Sequence, residues 1–133
     1  MQYSVAVNNA RLDSVETAIG PSAILKFRTG AAPANCAAAD SGTVLATLNL
    51  PADWMNPAAA AAKAKAGTWQ DLLADATGLV GHYRIYASDG VTCGEQGPVT
   101  ATGGGGDIEV DDVNFTAGQE VLVTVYSKIS GNQ

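Results

Sequence analysis

Histidine is almost missing from this sequence: His82 is the only one among 133 residues. A single imidazole excludes a metal cage or proton relay built from paired histidines within one chain. Cysteine is nearly as scarce, and Cys36 and Cys93 without histidine partners cannot fill a tetrahedral zinc site. Basic residues are few: seven Lys and Arg face thirteen Asp and Glu, for a formal net charge of −6. That is the wrong sign for neutralising phosphates, so direct nucleic-acid binding is not expected. No window reaches the roughly 18–20 strongly apolar residues of a membrane helix. The opening MQYSVAVNNARLD has no basic region leading into an apolar core, so neither a secretory signal nor a membrane contact is expected, and the chain reads as a soluble product of a cytoplasm. No G-x-S-x-G turn gives His82 a nucleophile to serve. The glycine run at 103–106 lacks the lysine that closes a phosphate loop, and Asp107 after it repels phosphate. Neither catalysis nor a cofactor is expected.

What the sequence does contain is small side chains. With 24 alanines, 15 glycines and 6% aromatics, a 47% hydrophobic chain can bury only a core of modest volume, and its length suits one domain with at most a terminal arm. Residues 4–20 read as a short helix: Leu12, Val15 and Ile19 fall on one face, Asp13 and Glu16 lie off it, and Gly20-Pro21 supplies a stop. The apolar stripe is narrow, so the helix must lie against its own domain or a neighbouring subunit. Residues 1–20 are accordingly set apart as a helical arm and 21–133 as the main domain.

After Pro21 the period changes from that of a helix to that of a strand. Residues 23–28 place Leu25 and Phe27 on one face with Lys26 and Arg28 on the other, and Val44, Ala46, Leu48 and Leu50 share a face of the next strand. A long small-residue loop, 30–42, separates them. For 58–66 two readings stand: alanine propensity makes a helix of one or two turns, whereas the two-residue spacing of Lys63 and Lys65 suits the solvent face of a strand. Residues 68–73 read as a strand or a continuation of that helix, and the bracketing Gly67 and Gly78 favour the strand. Residues 79–87 alternate Tyr83, Ile85 and Ala87 against His82, Arg84 and Tyr86, and Ser88-Asp89-Gly90 turns the chain into a return strand through Val99. Residues 107–111 alternate strictly, and 120–129 again, with Val121, Val123, Val125 and Ile129 on one face. Six to eight such segments with glycine-rich turns predict an antiparallel β-sandwich or jelly-roll-like domain with a short N-terminal helix.

Several constellations invite a chemical reading. His82, beside Arg84 in an alternating strand, reads as a solvent-face or interface residue rather than a base. Asp107, Glu109 and Asp111 share one strand face; parallel side chains converge poorly on a cation, so a solvated acidic face is the better reading, and no metal is expected. Cys36 and Cys93 can pair across a sandwich, but cytoplasmic synthesis favours free thiols at first, with oxidation open to an assembly released from the cell. Trp54, Trp69, Tyr83 and Tyr86 can stack on a sugar in principle; scattered aromatics serve more often as core and interface anchors. Nine acidic residues and one basic residue, Arg84, lie between Asp71 and Glu120, while Lys26, Arg28, Lys63 and Lys65 lie earlier. This asymmetry points the acidic half at solvent and directs the search for a partner to the N-terminal half.

Ala10-Arg11-Leu12-Asp13 with Ala18-Ile19-Gly20, the stretch from Leu25 through Thr29-Gly30-Ala31-Ala32-Pro33, the stretch Asp40-Ser41-Gly42-Thr43-Val44-Leu45-Ala46, and Ala76-Thr77-Gly78 running into His82-Tyr83-Arg84-Ile85-Tyr86 resemble a family of small virion structural proteins of tailed bacteriophages and prophages. The resemblance covers nearly the whole chain and brings no catalytic motif. It implies a structural protein of the particle, assembled in the host cytoplasm, most specifically a capsid decoration protein that bridges subunits of the major capsid protein as a dimer or trimer. A tail, neck or fibre component, and a receptor- or glycan-binding module using Trp54, Trp69 or Tyr86, are the alternatives. Leu12, Val15 and Ile19 on the arm, with Lys26 and Arg28 on the first strand, are the candidate partner-binding residues. At Leu72-Leu73 and Leu79-Val80 the chain departs from the family pattern, where smaller or polar residues are more usual; these leucines are either core or a contact completed in the particle.

Overall fold

A computed structural model describes residues 1–130. One helix, α1 (Val5–Ile19), precedes ten strands: β1 (Ile24–Thr29), β2 (Val44–Asn49), β3 (Ala62–Ala64), β4 (Trp69–Asp71), β5 (Gly78–Tyr86), β6 (Cys93–Ala101), β7 (Ile108–Val110), β8 (Asn114–Phe115), β9 (Val121–Val123) and β10 (Ser127–Ile129). The chain is mainly β, with curled sheets in a sandwich-like arrangement. Its main sheet runs β2-β1-β5-β6-β7, with β8 beside the start of β5. Pairing is antiparallel except for β7, which lies parallel to β6. Two short ribbons, β3 with β10 and β4 with β9, supply the opposing layer.

The registers explain the core. Leu25 stands between Leu48 and Ile85, and Phe27 between Ala46 and Tyr83, so one face of the main sheet is continuously apolar. Trp54, Trp69, Val121, Val123 and Tyr126 pack onto it from the other layer. Trp69 is the hinge of this aromatic group, its ring centroid 6.0 Å from that of Trp54 and 5.3 Å from that of Tyr126.

α1 begins where the sequence indicates. Ser4 caps it by accepting the Val7 N–H at 3.2 Å, and Gly20, at φ 96°, ends it. Leu12 and Ile19 are buried against the domain. Ile19 reaches in because Gly94 lacks a side chain; a Cβ there would lie 2.4 Å from Ile19 Cγ1.

One of the two readings of 58–66 and three further expectations need correction. Residues 58–66 form no helix: a turn with Ala60 and Ala61 at φ 51° and 59° leads into β3. Lys63 is buried on that strand, not on a solvent face. Residues 120–129 are not one strand. The chain bends after Val123, and three residues later Tyr126 takes the next inward position, so the alternation changes parity and Val125 and Ile129 emerge at the surface. His82 is fully buried, its Nδ1 2.8 Å from the Gly30 carbonyl oxygen.

Candidate functional site

Both faces of β5 are covered, which alternation alone does not reveal. Arg28, Lys26 and Ile24 on β1 stand opposite His82, Arg84 and Tyr86 on β5. The 30–42 loop crosses this polar face as a strap. Arg84, only 2% exposed, donates to the Asn35 and Ala38 carbonyls at 3.0 and 3.1 Å, to Asp40 at 2.8 Å and to Gln96 at 3.1 Å. Arg28 donates to the other Asp40 oxygen at 3.1 Å and to the Gly42 carbonyl at 3.4 Å, and Tyr86 donates to Asp40 at 2.6 Å. Burial alone would raise the Asp40 pKa, but these hydrogen bonds and the two guanidinium charges outweigh it and hold the carboxyl below its ordinary value. Burial, then the bond to Asp40, pushes the Tyr86 phenol up. A disulfide between Cys36 and Cys93, 57 residues apart, fastens the strap to the start of β6.

The sequence-derived partner residues therefore divide. Arg28 is tied into the strap, and Lys26 donates to the Gly90 carbonyl at 3.2 Å with its ammonium 5.0 Å from the Tyr86 ring centre. Arg28 is thus committed to Asp40, whereas Lys26 is paired with no carboxylate among the described residues. Leu12 and Ile19 face the chain's own body, with Val15 half-buried beside the core. The polar side of α1 is anchored too: Asp13 and Glu16 hold the buried Lys63 ammonium at 2.7 and 3.0 Å, and Asp13 also accepts the Ala58 N–H at 2.9 Å. Burial opposes the charge on Lys63, yet its bonds to Asp13 and Glu16 raise its pKa. At the other end Asn8 Oδ1 accepts from Ser130 at 2.8 Å.

A second polar cluster was not legible in the sequence. Glu95 on β6 receives the hydroxyls of Tyr83, at 2.7 Å, and Tyr126 on one carboxylate oxygen, and the Lys128 ammonium on the other. Lys128 also lies 2.7 Å from the Tyr126 oxygen. The Asp107 carboxylate rests above Gly97 next to Tyr83; a Cβ on Gly97 would lie 2.3 Å from Asp107 Oδ2 and 2.9 Å from Tyr83 Cε1. Burial, and next the Glu95 charge, drive both phenol pKa values upward, so the two tyrosines stay protonated donors. Outside the cluster opens a cleft of about 640 Å³ between Asp107, Glu109 and Asp111 on one side and Thr124, Val125 and Ser127 on the other. Glu109 turns back to accept the Gly103 and Gly105 N–H groups at 3.3 and 3.2 Å, ordering the glycine loop. Among the described residues no group of His, Cys, Asp and Glu is placed to hold a metal ion.

What the chain leaves uncovered is aliphatic. Leu72, Leu73 and Leu79 are 63%, 69% and 58% exposed, whereas Val80 is core. The loop of Leu72 and Leu73 is well tied, with Leu73 N–H donating to Asp71 at 3.0 Å, Ala74 N–H to Gln119 at 2.8 Å and Asp75 N–H to Leu45 at 2.7 Å, and Leu79 lies on β5 opposite Asn114 of β8. No protein-family model, curated protein or solved structure matches this chain. The site is accordingly read from its own chemistry. Trp54, Trp69 and Tyr86, the aromatics a glycan-stacking surface would use, are wholly buried, a correction to that alternative.

Proposed function

We propose that this protein is a structural component of a tailed-phage virion, most specifically a capsid decoration protein that bridges neighbouring subunits of the major capsid protein and stiffens the shell. The observation that carries the reading is the ordered 72–79 segment, a tied loop running into β5, with three leucines turned to solvent. Ordered exposed leucines cost no further backbone ordering when a partner covers them, and each gains about 1.5–3 kcal/mol on burial. Their place in the acidic half moves the expected contact away from the N-terminal half. A few such contacts are weak singly; repeated by shell symmetry and shared within a dimer or trimer, they bind through avidity. The buried cations, the disulfide and the strap support the same reading, because they stiffen the domain. The resemblance of the Asp40–Ala46 and His82–Tyr86 stretches to small virion proteins agrees with it.

Copy number per particle tests the proposal. Hundreds of copies, and particles that assemble without the protein but lose resistance to heat or osmotic shock, are expected. A dozen or fewer copies, or tailless or non-adsorbing particles, would instead mark a tail, neck or fibre component.

A further inference from the structure

We propose that Lys128 and Glu95 condense into an internal amide bond that welds β10 to β6. The cluster holds each element such a reaction needs. The amine already sits on the carboxyl group it would attack, so the encounter is intramolecular, the condition under which aligned reacting groups reach effective concentrations of up to about 10⁵–10⁸ M. The Tyr83 and Tyr126 hydroxyls both donate to the same Glu95 oxygen, Oε1. They are placed to carry the negative charge that grows on that oxygen when Nζ adds to Cδ. The missing side chain at Gly97 lets the Asp107 carboxylate settle beside Tyr83, where its charge acts on both Tyr83 and Lys128. Burial lowers the Lys128 pKa against the pull of Glu95, which raises the share of neutral, nucleophilic amine. The side chains of Lys128 and Glu95 are 13% and 16% exposed, so little water competes for the carbonyl carbon.

The step balances without an added reagent. Nζ bonds to Cδ and passes two of the three protons of its ammonium form to Oε2, the oxygen it already donates to; the Cδ–Oε2 bond breaks, and that oxygen leaves as water. An ion pair becomes a neutral amide, and nothing is oxidised or reduced. The product joins the strand that closes the opposing layer to the main sheet, independently of any role in a particle.

Intact mass of the full chain, measured denatured and with the disulfide reduced, decides the matter. The expected mass is that of the sequence less one water. Trypsin should then fail to cut after Lys128, yielding residues 85–133 as one piece whose fragment spectrum places the loss between Glu95 and Lys128. K128R should restore the full mass. Full sequence mass in the native protein, a water loss that maps to Asp89-Gly90, or a loss that persists in K128R would each overturn the bond and leave a plain ion pair. The fragment map of the unaltered protein stands even if K128R folds poorly.

Discussion

Replacing Asp40 by Asn tests whether the strap is a structural tie or an ordinary surface ion pair. The substitution keeps the shape of the side chain and removes the charge that two guanidiniums share. Arg28 and Arg84 have side chains 8% and 2% exposed, so their charges cannot turn to water without opening the loop. Stripping the partner from a buried charge costs about 3–5 kcal/mol. Two features reduce that figure: Asp40 itself is 39% exposed, which screens it, and the carbonyls of Asn35, Ala38 and Gly42 go on accepting from the arginines. The loss expected is about 2–3 kcal/mol, against the 0–1 of an exposed pair. Urea unfolding of the oxidised protein at neutral pH reads it as a lower midpoint at unchanged slope. Because the Asp40 pKa is depressed in the fold, its contribution is complete above the ordinary value of 3.8 and disappears as pH falls through the lower folded value. The gap between wild type and D40N should therefore stay constant from pH 5 to 8 and close only in acid, below about pH 4. A neutral-pH loss below about 1 kcal/mol would refute the reasoning and reduce the strap to a surface contact.

Other perturbations address the remaining ties. Converting both Cys36 and Cys93 to Ser removes a cross-link spanning 57 residues, for which chain entropy gives a loss of about 4 kcal/mol, read by the same unfolding assay. Gly81→Ala places a Cβ 2.1 Å from the Gly30 carbonyl oxygen, a backbone atom that cannot step aside; a loss above about 2 kcal/mol is expected, and a neutral effect would mean the β1–β5 register is wrong. Lys63→Met should cost about 1–3 kcal/mol and speed amide exchange throughout α1. Since the Lys63 pKa is raised, its contribution is present below 10.5 and fades as pH rises through the folded value, so wild type and variant should converge in strong alkali. Changing Leu72, Leu73 and Leu79 together to Ser should shift stability by no more than about 0.5 kcal/mol per site while abolishing attachment to particles; retained attachment would remove those leucines from the interface.

The elements most exposed to local physics were legible in the sequence. Ser4 and Gly20 bound the helix, Leu25 and Phe27 alternate inward, and Asp89-Gly90 turns β5 into β6, with the Asp89 carboxylate accepting the Val91 and Thr92 N–H groups. Long-range cover was not legible. Alternation in β5 marks Arg84 and His82 as the polar face but is silent about what lies over it, and a loop 44 residues distant in sequence supplies Asp40. Parity failed at 124–126 because a bend adds no signal to a run that still alternates. Glu95, Tyr83, Tyr126 and Lys128 sit in separate segments whose meeting depends on that bend, so no spacing rule could have joined them. Lys63 misled because a lysine on a short strand ordinarily faces water; two carboxylates from α1 reverse that preference.

The bond between Asn8 and Ser130 joins positions 122 residues apart, and the helix also leans on Lys63 and the turn before it. Its seat is not complete until β3 and the residues following β10 are in place. During folding α1 must wait for β3 and for the residues after β10, and Ile19 for Gly94 on β6. Folding that depends on pairings of such separation is slow, because the entropy of closing the loop is lost before the contacts form. α1 precedes every strand in the sequence, yet it gains its full seat only once β10 has paired with β3.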